Sequence, residues 1–123
     1  IYNAARLLEI VSRDPAPEQG GVKFSERFGF MPEYPSTDEG KVPLVGDRDV
    51  VMAGVKQAYA DMDFSEVDGI RVRYDSGWFL CRPSNTEPIL VMRAEANDQS
   101  ALDEILADIE DRIGHIADIG KLK

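Results

Sequence analysis

An α+β fold is predicted for this chain: an antiparallel sheet with two amphipathic helices on one face, preceded by a separate N-terminal helix. Three observations predict it. Ile70, Val72 and Tyr74 alternate with Arg71, Arg73 and Asp75, the period of two that marks a half-buried strand. Short turns join this run to two further bulky runs, 78–82 and 89–96, and strands joined by short turns are antiparallel. One segment before these strands and one after them carry apolar residues at helical spacing, so two helices can cover one sheet face as a layer.

The elements follow in order. Ile1, Ala4, Ala5, Leu8 and Val11 form one apolar helical stripe. Asp14-Pro15-Ala16-Pro17 ends it, because proline lacks the N–H donor and biases the residue before it away from helix. The Pro-, Gly- and charge-rich stretch 14–21 reads as a linker or hinge, which divides the chain into 1–13 and 22–123. An N-terminal helix packed on one small domain is the alternative on periodicity alone. Residues 22–30 are readable as a short helix or as an extended segment. The run 34–45 is interrupted by Pro35, Gly40 and Pro43, so a strand there belongs at a sheet edge. Asp47 or Asp49 caps a helix running to about Met62, with Val51, Val55, Ala58 and Met62 facing the core. Asp68-Gly69 opens the first strand of the meander and Asp75-Ser76-Gly77 turns it. Pro83 and Pro88 bracket a loop before the last strand. Asn97 or Asp98 caps a final helix with Leu102, Ile105, Leu106, Ile109 and Ile113 on one face.

Composition removes several function classes. Of 123 residues, 14 are Lys or Arg and 23 are Asp or Glu, a net charge of −9, which is wrong for general phosphate-backbone binding to nucleic acid. No apolar run approaches the ~20 residues of a membrane span. A single Cys excludes an internal disulfide and a cysteine zinc cage. We expect no nucleic-acid or membrane partner and a cytoplasmic location. The chain begins with Ile1, not Met, and we expect it to be a piece of a larger protein.

One segment carries chemistry: Arg82-Pro83-Ser84-Asn85-Thr86-Glu87-Pro88. Arg offers a forked, permanently charged donor that suits phosphate oxygens. Ser84 and Thr86 add hydroxyls and Asn85 an amide. The prolines stiffen the backbone that holds them, and turn N–H groups can add an anion nest. From Gly69 to Arg93 there are four Arg against Asp75 and Glu87, whereas 97–113 has six acids against Arg112. A basic island in an acidic domain focuses anions. A plain polar hairpin loop has the same residue types.

This run, with Asp68-Gly69 opening a strand, Trp78 ahead of the loop and Arg93-Ala94-Glu95-Ala96 closing the next strand, resembles the α-D-phosphohexomutases in their phosphomannomutase/phosphoglucomutase branch. The resemblance covers about 22–113. It implies that 22–123 is the fourth, C-terminal, phosphate-binding domain and that 1–13 is the end of the third domain's last helix. Asn85 favours the mannose/glucose branch, since phosphoglucosamine mutases usually carry Gly there. The resemblance implies substrate-phosphate contact by Arg82, Ser84, Asn85 and Thr86, and by Arg93 as a second arginine. Arg93 lies roughly 16 Å beyond Pro88 along a regular strand at ~3.3 Å per residue, so the loop must curl back or the ligand must lie over the sheet.

The resemblance further implies an enzyme that interconverts hexose 1-phosphate and hexose 6-phosphate through a phosphoserine and a bisphosphorylated sugar. Mg²⁺ would be bound outside this chain, and the partners would be the phosphosugar and the enzyme's own first three domains. The sequence has no phosphoserine loop, no Asp-x-Asp-x-Asp metal run and no sugar-reading loop, so we expect no catalytic residue and no turnover in the chain alone. The competing class is a small α+β regulatory or protein-interaction module, which Arg82→Ala would hardly disturb. A calcium loop at Asp61-Met62-Asp63 fails, because Glu66 and Val72 stand where Gly and a bidentate Glu are needed. Trp78 is expected as a core anchor, Cys81 as a packed thiol, Arg71 and Arg73 as a solvated strand face, and His115 as an exposed tail residue.

Overall fold

The structure, a computed structural model, describes residues 1–13 and 20–122. The described chain forms two compact units, Ile1–Glu33 and Tyr34–Lys123. The expected linker 14–21 lies outside the described residues over 14–19.

The first unit holds helix α1 (Tyr2–Ser12), none of whose side chains is buried. Arg6 and Arg13 both pair with Glu9 along its surface, the i,i+3 and i,i+4 spacing that brings helical side chains together. The 22–30 segment is a 3₁₀ turn over Phe24–Phe28.

The second unit is built on five antiparallel strands: β1 (Gly40–Pro43), β2 (Phe64–Ser65), β3 (Ile70–Tyr74), β4 (Gly77–Pro83) and β5 (Ile89–Ala96), in spatial order β1-β5-β4-β3-β2. β1 is an edge strand, as its prolines require. Residues 35–37 continue that edge: Thr37 N–H donates to the Ala94 carbonyl at 2.9 Å, Ala94 N–H donates back to the Thr37 side-chain Oγ1 at 3.0 Å, and Ala96 N–H reaches the Pro35 carbonyl at 3.0 Å.

Helices α2 (Arg48–Ala58) and α3 (Gln99–Ile113) cover one face of the sheet. Asp47 caps α2 by accepting from the N–H groups of Asp49 and Val50, and Asp98 caps α3 by accepting from Ala101, each satisfying donors that no earlier turn can use. Ile70, Val72, Phe79, Cys81, Met92 and Ala94 point to this face and pack on Val55, Tyr59, Ile105, Ile109 and Ile113, all fully buried or nearly so. Each large apolar side chain enclosed this way contributes ~1.5–3 kcal/mol.

Four expectations need correction. The α2 helix ends at Ala58, not near Met62, and Tyr59 continues its buried face. A short strand, β2, pairs with β3 where the sequence has only two extended residues to show for it. The tail after α3 turns back as a 3₁₀ segment (Ile119–Leu122) and buries Ile119 and Leu122. Trp78 is not in the core: it pairs with Arg73 and Glu95 on the face away from the helices and is half-buried there. Strand alternation decides this, since neighbours on a strand point oppositely and Phe79 takes the core side.

A polar network closes the end of the helix layer. Arg112 donates to both Asp61 carboxylate oxygens at 2.7 and 3.1 Å, to Asp108 at 2.9 Å and to the Ala58 carbonyl at 2.7 Å. Its guanidinium lies 5.2 Å from the Tyr59 ring centroid. Tyr74 donates its hydroxyl to Asp108 at 2.7 Å. Hydrogen bonding from Arg112 holds the Asp61 carboxyl below its usual value, and burial pushes the Tyr74 hydroxyl up.

Candidate functional site

The open face of the sheet, opposite the helices, is where cations collect. Register places Arg71 opposite Leu80, Arg73 opposite Trp78, Arg93 opposite Leu80, and Arg82 opposite Val91, so all four arginines project to one side. Arg71 stacks over the Trp78 ring at 4.8 Å, and the indole N–H donates to Glu95 at 3.3 Å. Arg73 pairs with Asp63 at 3.1 Å. Arg71 thus occupies one face of the Trp78 ring.

The 82–88 run forms the connection between β4 and β5, the two strands nearest the middle of the sheet. Pro83 and Leu90 make the last ladder pair, and Ser84 N–H then bonds the Ile89 carbonyl at 2.9 Å. Ser84 Oγ accepts from the N–H groups of Thr86 and Glu87, both at 3.3 Å, and lies 3.5 Å from Thr86 Oγ1. A serine side chain that closes a turn in this way competes with regular pairing and fixes the loop. It also occupies the Thr86 and Glu87 N–H groups. Side chains supply the donors at the mouth.

Arg82 is half-buried at the loop's base, 3.6 Å from the Asp68 carboxylate. Asp68 reaches it because Gly69 passes close over β4: a Cβ on Gly69 would lie 2.3 Å from the Cys81 carbonyl oxygen and 2.7 Å from Arg82 Cα, and Gly69 has φ +80°. Cys81, next to Arg82, is fully buried, and burial pushes its thiol up to about 12. It packs among the core residues on the helix side of the sheet.

Arg93 donates to Ser36 Oγ at 3.3 Å. Its distance from the loop looks different across the hairpin than along β5. Arg82 pairs with Val91, so Arg93 is a diagonal neighbour of Arg82, a step of ~7–8 Å. The two side chains leave the same sheet face, with Arg82 paired to Asp68 ahead of β3 and Arg93 bonded to Ser36 at the β1 edge.

A residue outside the motif also reaches the loop. Arg48, the first residue of α2, donates from Nη2 to Asn85 Oδ1 at 3.2 Å. Leu44 N–H bonds the Pro88 carbonyl at 2.8 Å, which ties the β1–α2 connection to the loop's far end. No sequence signal pairs Arg48 with Asn85, 37 positions apart; only the placing of β1 beside β5 brings them together. Asp68 was legible as a turn residue, but its ion pair with Arg82 was not. Among the described residues, no group of three or more His, Cys, Asp or Glu side chains is placed to hold a metal ion, and no helix is long and apolar enough to cross a membrane.

Comparison with known proteins places this geometry. Residues 39–112 match the family model for the phosphoglucomutase/phosphomannomutase C-terminal domain. The phosphomannomutase/phosphoglucomutase of Pseudomonas syringae pv. tomato is 42% identical over 108 residues, covering 85% of this chain and 22% of that protein. A "probable phosphoglucosamine mutase" of Methanocella arvoryzae is 33% identical over 112 residues, covering 89% of this chain and 24% of that protein. The crystal structure of a phosphoglucomutase/phosphomannomutase family protein from Burkholderia thailandensis superposes with a TM-score of 0.69 at 30% identity, over 94% of this chain and 23% of that one. The chain therefore spans less than a quarter of the length of these relatives. With the loop, the open cationic face and the matched residues in agreement, the chain belongs to the phosphoglucomutase/phosphomannomutase family and carries its C-terminal domain.

Proposed function

We propose that this chain is the substrate-phosphate-binding domain of a longer phosphohexomutase, one that interconverts hexose 1-phosphate and hexose 6-phosphate of mannose or glucose. The observation that carries the reading is the placement of Arg82 and Arg93 as diagonal register neighbours on the open sheet face, beside a serine-closed loop that presents Asn85 and Thr86. Arg82, Ser84, Asn85, Thr86 and Arg93 are the proposed contacts.

In this reading the domain grips the phosphate that is not reacting. Binding energy gained there orients the opposite end of the sugar, where a phosphoserine of the longer enzyme exchanges its phosphoryl group through a bisphosphorylated sugar. The stretch 14–21 is the proposed hinge that closes this domain over the cleft, and 1–13 the proposed end of the preceding domain. The Mg²⁺ proposed for the longer enzyme has no ligand set among the described residues, and no step assigned to this chain runs through it. The other partners proposed are the enzyme's own first three domains. A chain with no catalytic residue of its own should show no mutase turnover; detectable turnover would refute that assignment.

The test is an amide NMR titration of the 123-residue chain with mannose 1-phosphate, with free mannose as control. Binding in the millimolar range, about −4 kcal/mol, is expected from so few contacts. Shifts confined to 82–86 and 93, absent with mannose and lost in Arg82→Ala, support the reading. Shifts elsewhere, or shifts that survive Arg82→Ala, overturn it in favour of a protein-interaction module.

A further inference from the structure

The hydrogen bond between α2 and the loop fixes which end of an amide faces the site. An asparagine side chain has an acceptor end and a donor end. Only the donor end is useful to an anion; the carbonyl end repels it. Arg48 Nη2 donates to Asn85 Oδ1 at 3.2 Å. A guanidinium only donates, so it holds the oxygen of Asn85 toward α2 and turns Nδ2 away from α2.

We infer that Arg48 is a positioning residue for substrate-phosphate binding, acting through Asn85 by locking its amide with the donor end outward. The inference rests on the phosphate reading of the loop and extends it to a residue outside the motif. Three features make the lock rigid. β1 pairs with β5 through Pro43 and Ile89, the residue that follows the loop. The Leu44 N–H to Pro88 carbonyl bond continues that attachment. Asp47 then accepts from Asp49 and Val50 N–H, which sets the first turn of α2 and the point where Arg48 leaves it. Removing the Arg48 donor frees the Asn85 amide to rotate, and rotamers that present oxygen to the phosphate become accessible.

The locking role differs from a simple charge effect in a way that can be measured. A plain cation near the anion acts independently of Asn85, so its loss and the loss of Asn85 multiply. A positioning residue has no effect once Asn85 is gone.

Mannose 1-phosphate binding would be measured by NMR on the 123-residue chain for wild type, Arg48→Ala, Arg48→Lys, Asn85→Ala and the Arg48→Ala/Asn85→Ala double variant, with Arg82→Ala as reference. The ligand-free Asn85 Cγ chemical shift would be read in the same samples. Arg48→Ala should move that shift and weaken binding about 3- to 10-fold. The double variant should bind as Asn85→Ala does, and Arg48→Lys, which keeps a donor for the single bond to Oδ1, should restore part or all of the loss. An unmoved Asn85 Cγ shift in Arg48→Ala would overturn the inference without any ligand. So would multiplying losses in the double variant. If binding survives Arg82→Ala, the phosphate reading fails and takes this inference with it. If Arg82→Ala abolishes binding while the Arg48 and Asn85 losses multiply, only the positioning role falls.

Discussion

Replacing Gly69 by alanine adds one methyl group where the start of β3 crosses the end of β4. Two costs are separable there. Gly69 has φ +80°, and an L-residue in that region costs ~1–2 kcal/mol. The new Cβ would also sit 2.3 Å from the Cys81 carbonyl oxygen and 2.7 Å from both Arg82 Cα and Cβ. Two of those atoms are backbone of a central strand and cannot swing aside as a long side chain would, so relief requires a shift costing ~1–3 kcal/mol. The total is ~2–5 kcal/mol, a large share of a small domain's stability. Gly46 supplies the control. It has φ +100° but nothing within 4 Å of its would-be Cβ, so Gly46→Ala loses only the backbone part. The assay is urea unfolding followed by Trp78, the chain's single tryptophan. Gly69→Ala should unfold at clearly lower urea than Gly46→Ala, and mannose 1-phosphate binding should weaken as Arg82 moves. Equal losses in the two variants, within about 0.5 kcal/mol, would refute the close approach.

Other outcomes follow from the helix-side network and the buried thiol. Arg112→Ala should lower stability by about 2–3 kcal/mol, because charged hydrogen bonds to Asp61, Asp108 and a carbonyl go together; chemical denaturation measures it. Asp61 titrates below its ordinary 3.8 in the folded chain, so it stabilises above that value, and the gain disappears as pH falls through the folded value. Asp61→Asn should flatten the acid limb of the stability–pH curve, and an unchanged limb would count against the pairing. Cys81 rises from 9.0 to about 12 on folding, so its contribution is complete below pH 9 and is lost as pH climbs toward the folded value. Alkylation with iodoacetamide at pH 8 should be roughly 100-fold or more slower in the folded chain than in urea, since the thiol reacts only on opening.

Alternation and capping were enough to read most of the second unit. The sequence Ile70-Arg71-Val72-Arg73-Tyr74 states its two faces outright, and the structure buries Ile70 and Val72 while exposing the arginines. Of the two residues that could cap α3, Asn97 and Asp98, it is Asp98 that does so. The misreadings share one cause, that local pattern carries no information about the third dimension. Trp78 is bulky and apolar, which suggested the core, yet it shares a strand face with Arg82, and strand parity outranks hydrophobicity. Ile119 and Leu122 sit past the last helical repeat in a stretch with no period, and only the return of the tail to the sheet explains their burial. At the site, the loop residues were legible as a cluster of side-chain donors, but the partners that hold them were not. Asp68 and Arg48 lie 14 and 37 positions from Arg82 and Asn85.

The sheet order has a consequence for how this domain assembles. β3, β4 and β5 follow one another in the chain and lie side by side, so the hairpin that carries the loop is closed by short-range contacts alone. β1 comes first among the strands but pairs with the last, Gly40 meeting Met92, and that pairing must wait for a long stretch of chain to close on itself. The meander is therefore the natural nucleus, and the β1–α2 segment docks onto a hairpin already formed. On this order the β4–β5 loop is made early and Arg48, at the start of α2, reaches it late. A lesion at the start of α2 that spares the buried Val42 and Val55 would leave the meander and its loop formed but without the Arg48 contact to Asn85.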